Sequence, residues 1–228
     1  MMRNFFRVAW HVMLKDLTVE VRSKEVLLTT LFFAVSVVLV FSFAIVREGR
    51  APDDVAAGIL WVAISFSGTL AMGRTFERER YNDTLRALIL APAERPAIYV
   101  GKLLGLLLLL GLVEIVLVPL VGLLFNAPIL AYPGMLSALL VLGTVGFAAV
   151  GTLFAAMLVR VRSRDTLLPV LLYPITIPVM IAGVRGTAAL FQAAPDESMA
   201  RFWIALLIFW DAIFVTLALW TFEPVMTE

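Results

Sequence analysis

Apolar residues gather into six long blocks separated by short polar joints, at 27–46, 55–73, 98–125, 131–159, 167–184 and 202–222. A helix that crosses a bilayer needs about 20 mostly apolar residues, and each block comes near or exceeds that length. In hydrocarbon, backbone polar groups must be satisfied within the segment, so six such blocks predict an all-α, polytopic membrane protein. The third and fourth blocks are long enough to tilt or to reach past the lipid. Only residues 126–130 separate them, which predicts a tight hairpin.

Two segments break this pattern. In 4–22, Phe6, Trp10, Met13, Leu14, Leu17 and Val21 recur every three or four positions, while Arg7, His11, Lys15, Thr18 and Arg22 fall elsewhere on the wheel. This predicts that 1–26 forms an amphipathic helix in the membrane interface, cations toward headgroups and Trp and Phe toward acyl chains. A helix packed on a partner fits the same pattern. The second segment, 74–97, reads RTFERERYNDTLRALILAPAERPA. Glu77 with Arg80 and Glu79 with Asp83 stand at helical spacing, and Leu85, Leu88 and Ile89 make a short apolar stripe. Pro92 ends the helix and Pro96 opens the next span. A charged helix with a small apolar face suits either docking of a cytoplasmic partner or packing on the chain's own first helix.

Composition supports the membrane reading. Of 228 residues, 62% are hydrophobic and 15% charged, against about 45–50% and about 25% in soluble domains. The net charge of +1 gives no reason to invoke nucleic acid, but the distribution of charge is informative. Fourteen of the 18 Lys and Arg residues fall in the N-terminal segment, the second loop with its borders, and the fourth loop. The other four are Arg47, Arg50, Arg185 and Arg201. By the positive-inside rule, both termini and the 74–97 loop are cytoplasmic. The first 26 residues lack the uninterrupted apolar run of a secretory signal.

Candidate chemistry is sparse. There are no cysteines and one histidine, His11, so thiolate ligands are excluded and no metal site is expected. Neither a zinc-hydrolase nor a serine-hydrolase motif is present, and Gly101-Lys102 lacks the other residues of a phosphate-binding loop, with Pro96 and Leu103 in their places. No catalytic residue is therefore expected, and energy for any transport must come from a partner or an ion gradient. Two acids lie deep in spans, Glu114 in the third and Asp211 in the sixth. Such a residue costs roughly 2.5–3.5 kcal/mol on insertion scales and marks a functional candidate by default. A neutral acid bonded to a neighbouring hydroxyl or backbone group is the plainer alternative. Pro169, Pro174 and Pro178 predict a kinked or broken fifth span. Gly143, Gly146, Ala148, Ala149, Gly151, Ala155 and Ala156 suit close helix packing, within the chain or between two copies. No convincing repeat relates the two three-span halves, which weakens an ion-coupled secondary transporter built on Glu114 and Asp211.

An interface helix, six spans with both ends inside and a charged first cytoplasmic loop resemble the ABC-2 type permeases. More narrowly, the chain resembles the haem exporter protein B (CcmB) family of bacterial cytochrome c maturation. The resemblance is carried by Lys15-Asp16-Leu17, Glu20 to Glu25, Gly73-Arg74-Thr75-Phe76-Glu77-Arg78-Glu79, Leu90-Ala91-Pro92, Arg95 and Ile98-Tyr99-Val100-Gly101-Lys102. It continues through Gly143 to Phe147, Gly151 to Ala155, Leu167-Leu168-Pro169 and Tyr173-Pro174. Residues 81–83, Tyr-Asn-Asp, are more polar than the family's usual stretch. The resemblance implies an inner-membrane subunit paired with a cytoplasmic ATPase (CcmA-like) that holds the ATP. It also implies membrane partners (CcmC-like and CcmD-like), a periplasmic haem chaperone (CcmE-like) and haem as the handled ligand. It points to Arg74, Phe76, Glu77, Arg78, Glu79, Arg80, Leu85, Leu88 and Pro92 as the docking helix. Two mechanisms stay open: passage of haem through this subunit, or ATP-driven release of the loaded chaperone. A non-transporting scaffold is a further alternative. A single histidine and no cysteine argue against firm haem ligation by this chain alone.

Overall fold

The computed structural model describes residues 2–45, 53–76, 94–159 and 161–227. Seven helices run through them: α1 (Met2–Ser23), α2 (Glu25–Ile45), α3 (Asp53–Arg74), α4 (Arg95–Phe125), α5 (Pro133–Met157), α6 (Arg164–Phe191) and α7 (Glu197–Thr227). The six from α2 to α7 are long and apolar enough to span a membrane, and no strand occurs among the described residues. The protein is an all-α, multi-pass membrane protein.

Several elements run further than the hydropathy blocks. α4 begins at Arg95, with Pro96 in its first turn where a missing N–H costs nothing. α6 extends to Phe191, seven residues beyond the predicted end of the fifth span. It is also continuous through Pro169, Pro174 and Pro178, so the expectation of a broken helix is corrected. Each proline deletes one backbone donor, while the flanking bonds and packing against α3, α5 and α7 carry the helix across the gaps. The Thr176 hydroxyl adds a bond to the Leu172 carbonyl (2.9 Å) beside the middle proline.

The joints follow local chemistry. Lys24, in the left-handed region (φ 54°), turns α1 into α2, a conformation costing roughly 1–2 kcal/mol for a residue with a Cβ. Glu20 offsets part of that cost by accepting the backbone N–H of Leu27 in the first turn of α2 (2.8 Å). Asn126 (φ 53°) ends α4, and its N–H bonds the Gly122 carbonyl. Ile129 folds back on Gly122, where any Cβ would stand 2.9 Å from it. At the other turn, Asp196 caps α7 by accepting the Met199 N–H (3.0 Å).

α5 lies at the centre, against α7 and α6 most extensively and against α3 and α4. Its small residues receive large side chains of the same chain. Gly143 admits the indole of Trp61, whose other edge fills Gly183 on α6. Gly151 admits Met72, and Gly146 admits Asp211. Trp61 is also fixed by an indole N–H bond to the Thr187 hydroxyl (3.0 Å). Intrachain packing therefore accounts for these three α5 glycines.

Candidate functional site: the root of the 74–97 loop

Helix α1 divides its surface three ways. Ala9, Val12 and Met13 are buried against α4. Phe6, Trp10, Leu14 and Val21 are exposed on a second face, and Arg7, His11, Lys15 and Thr18 are exposed on a third. At 100° per residue these faces centre near 0°, 100° and 200°. The predicted amphipathic helix is thus present, with one correction: Met13 faces protein. The fit to α4 is close at Gly101, where a Cβ would lie 2.6 Å from the Ala9 carbonyl oxygen and 2.7 Å from the Val12 Cβ. Only a residue without a side chain lets the two backbones approach this way.

One residue further on, Lys102 is the most deeply buried cation described, with a side chain 1% exposed. Its ammonium meets the Asp16 carboxylate of α1 (3.0 Å), donates to the Thr75 carbonyl (2.9 Å) and lies over the Phe76 ring (5.1 Å from the centroid). A buried charge is tolerable only when paired and hydrogen-bonded, and here the partners come from α1 and from the loop root that follows α3. Lys15 also meets Asp16 (3.1 Å). Arg74, at the end of α3, reaches Glu25 at the start of α2 (3.1 Å). Phe76 is buried, and shares a small cavity with Ala155, Leu158, Arg164 and Leu168 at the junction of α5 and α6. Tyr99 completes the base of α4, donating to the Ala149 carbonyl (2.9 Å) and packing on Phe222 of α7. The three residues that begin the loop are therefore tied to α1, α2, α4 and the α5–α6 turn.

Of the predicted docking residues, Arg74 and Phe76 occupy this root. Glu77, Arg78, Glu79, Arg80, Leu85, Leu88 and Pro92 lie outside the described residues. Lys102, Asp16 and Thr75 were not singled out by sequence reasoning as site residues. The available signal was a lysine near the start of the 98–125 block, whose one other charged residue is Glu114, with an aspartate in the adjacent amphipathic helix.

The intramembrane candidates lie apart from the root. Glu114 accepts a short hydrogen bond from the Thr144 hydroxyl, which joins α4 to α5. Asp211 is buried, and among the described residues neither carboxylate oxygen has a hydrogen-bond partner. It presses on Gly146, two residues along α5 from Thr144. Two residues are about 200° of helix, so the acids address nearly opposite sides of α5. Pro174 is exposed and Pro169 half-buried on α6. The described residues contain no cluster of three metal-ligating side chains.

Comparison with known proteins agrees with this architecture. The "CcmB protein" family model matches residues 7–225. Heme exporter protein B of Paracoccus denitrificans is 31% identical over 175 residues, covering 77% of this chain and 80% of the relative. That of Haemophilus influenzae is 29% identical over 167 residues, covering 73% and 75%. That of Shigella flexneri is 29% identical over 199 residues, covering 87% and 90%. With six helices long and apolar enough to span a membrane, an amphipathic first helix and a family match over residues 7–225, the chain belongs to the CcmB family.

Proposed function

We propose that this protein is the membrane subunit of an ABC-type complex that serves haem delivery in cytochrome c maturation, and that a cytoplasmic ATPase grips it through residues 74–97. The family match over residues 7–225 carries this reading. Its place is the bacterial inner membrane with both termini cytoplasmic, as the distribution of Lys and Arg argues. ATP is bound and hydrolysed by the partner. CcmC-like and CcmD-like membrane subunits and a CcmE-like periplasmic chaperone complete the set, with a second copy of this chain as a further candidate partner.

The root suits transmission of force. A pull on the loop acts on Thr75 and Phe76, whose contacts lead through Lys102 and Asp16 to α1 and through Phe76 to the α5–α6 turn. Arg74 adds an exposed link to α2. Such an arrangement moves helices as bodies and needs no energy source in the chain itself. The single histidine lies exposed on the polar face of α1. Release of the haem-loaded chaperone, with haem held by partners, suits this better than axial ligation by this chain.

Purification of the tagged chain from its host membrane tests the proposal. An ATPase subunit is expected to co-purify, and charge reversal at Glu77 and Glu79 is expected to abolish the association. If no ATPase accompanies the wild-type chain, or if E77K/E79K retains it in full, the docking assignment fails.

A further inference from the structure

Beside Lys102, an open cleft of about 330 Å³ lies between α1, α2, α3 and α4. Its two ends differ in chemistry. At the loop end its walls carry Lys15, Arg74 and Lys102 against Asp16 and Glu20, an excess of one positive charge. The Glu20 carboxylate is turned to the Leu27 N–H, which occupies part of its acceptor capacity. Along α4 the wall passes from Lys102 to Leu106 and Leu109, and Leu17 and Val26 add apolar surface next to Asp16 and Glu25. From Lys102 to Leu109 is about 10 Å of helix, so the cleft passes from cationic to apolar over the length of a few methylene groups. α1 leans on α4 and touches α2 little beyond their joint, which leaves the cleft open.

Gly105 forms part of the wall. A Cβ built there meets only the Asp16 Cβ, at an ordinary 3.8 Å. This contrasts with Gly101 one turn earlier, where a Cβ collides with backbone. Among the described residues, no other side chain comes within 4 Å of a Cβ at position 105.

We propose that this cleft is a phospholipid site, taking the phosphate of an anionic glycerophospholipid of the phosphatidylglycerol class between Lys15 and Arg74, with the start of an acyl chain along Leu106 and Leu109. The half-exposed Lys15 and Arg74 side chains exchange part of their contact with Asp16 and Glu25 for the phosphate. Lys102 remains bound to Asp16 and Thr75 and contributes charge from the wall. The exposed Phe6 and Trp10 of α1 belong at headgroup depth, and the cleft opens beside the same helix. Its volume stands at the small end of the roughly 300–1,000 Å³ of ligand pockets. That suits a headgroup with a few methylenes and falls short of a porphyrin with its substituents. A phosphate here adjoins Arg74 and Thr75 at the loop root, and the site exists whether or not a partner grips that loop.

Native mass spectrometry of the full chain in mild detergent, stripped of lipid and then supplied with one probe at a time, tests the site. One phosphatidylglycerol per chain is expected, in preference to phosphatidylcholine. Gly105→Leu is expected to lower occupancy about tenfold, and Gly105→Ala to leave it near the wild-type value. The double variant Lys15→Gln/Arg74→Gln, altering two half-exposed side chains, is expected to lower it as well. This variant decides the matter if Gly105→Leu fails to fold. Equal occupancy in the variants and the wild type overturns the proposal, as does equal retention of phosphatidylcholine. One-to-one binding of inorganic phosphate alone, or of haem, that Gly105→Leu abolishes would reassign the cleft to that ligand and overturn it too.

Discussion

Lys102 and Asp211 are both buried ionisable side chains in apolar helices, and their surroundings are opposite. Lys102 has a carboxylate, a carbonyl and an aromatic face within reach, drawn from α1 and the loop root. Asp211 has neither oxygen hydrogen-bonded among the described residues and lies against the bare backbone of Gly146. The loop-bearing end of the bundle is therefore held by directed polar ties to a buried charge, whereas the contact of Asp211 with α5 rests on shape. A directed tie breaks when one partner goes and can transmit movement between elements. A packed contact yields in proportion to volume and is indifferent to charge.

The largest effect should follow from breaking the tie. Lys102→Met takes the ammonium from the Thr75 carbonyl and leaves Asp16 only the half-exposed Lys15. Removing one member of a buried pair costs about 3–5 kcal/mol, and the lower end applies because the Asp16 side chain is 26% exposed. A thermal melt of the purified chain should show this loss, and adding Asp16→Leu should recover part of it. Full additivity of the two substitutions would show that the pair is no tie.

Next come substitutions that test shape. Gly101→Ala must push α1 off α4, because its Cβ meets a carbonyl oxygen at 2.6 Å. Gly143→Ala must displace an indole at 2.1 Å that Thr187 holds in place. Overpacking of this kind costs about 1–3 kcal/mol. Gly151→Ala meets the thioether of Met72, a flexible side chain, and should cost less than Gly143→Ala in the same melt. The reverse order would mean that Trp61 is not the rigid element of the core.

The acids should respond least. Glu114→Gln keeps an acceptor for the Thr144 hydroxyl, and Asp211→Asn removes a carboxylate that has no hydrogen-bond partner among the described residues. Each should shift stability by less than about 1 kcal/mol and leave cytochrome c maturation near the wild-type rate in a complementation assay. Loss of maturation in either variant with the fold intact would turn the contrast around and make that acid functional.

A smaller effect belongs to Asp196, outside the spans. The Ser198 hydroxyl, then the Met199 N–H, hold its carboxyl below the usual aspartate range. A folded-state value below the unfolded one makes this cap stabilising above about pH 4. The contribution fades as pH falls through the folded value. Asp196→Asn should flatten that part of the stability profile between pH 5 and 3 by about the amount the cap supplies, while leaving neutral-pH melting little changed.

The six spans, the interface helix and the hairpin at Asn126 were legible because each depends on local pattern: length of apolar run, three-to-four spacing, or one residue that accepts a left-handed turn. Of the kinked or broken helix expected for the proline-rich span, the break did not occur, because a missing donor is local whereas the packing that bridges it comes from three other helices. The candidate site was legible only in part. Charge marked the loop that begins at Arg74, but nothing in the linear order links Asp16, Thr75 and Lys102, which lie 59 and 27 positions apart in succession. Likewise the sequence left open whether the two acids meet, and the structure places α5 between them.

Sequence alone thus determined that six segments are long and apolar enough to span a membrane, and its residues along nearly the whole chain carried the family resemblance. The spans follow from transfer free energies that act on each segment independently. Which buried lysine holds the loop root, which glycine admits α1, and where a cleft remains open were settled only by packing. Each is a meeting of residues from different helices, and its energy does not exist until those helices touch.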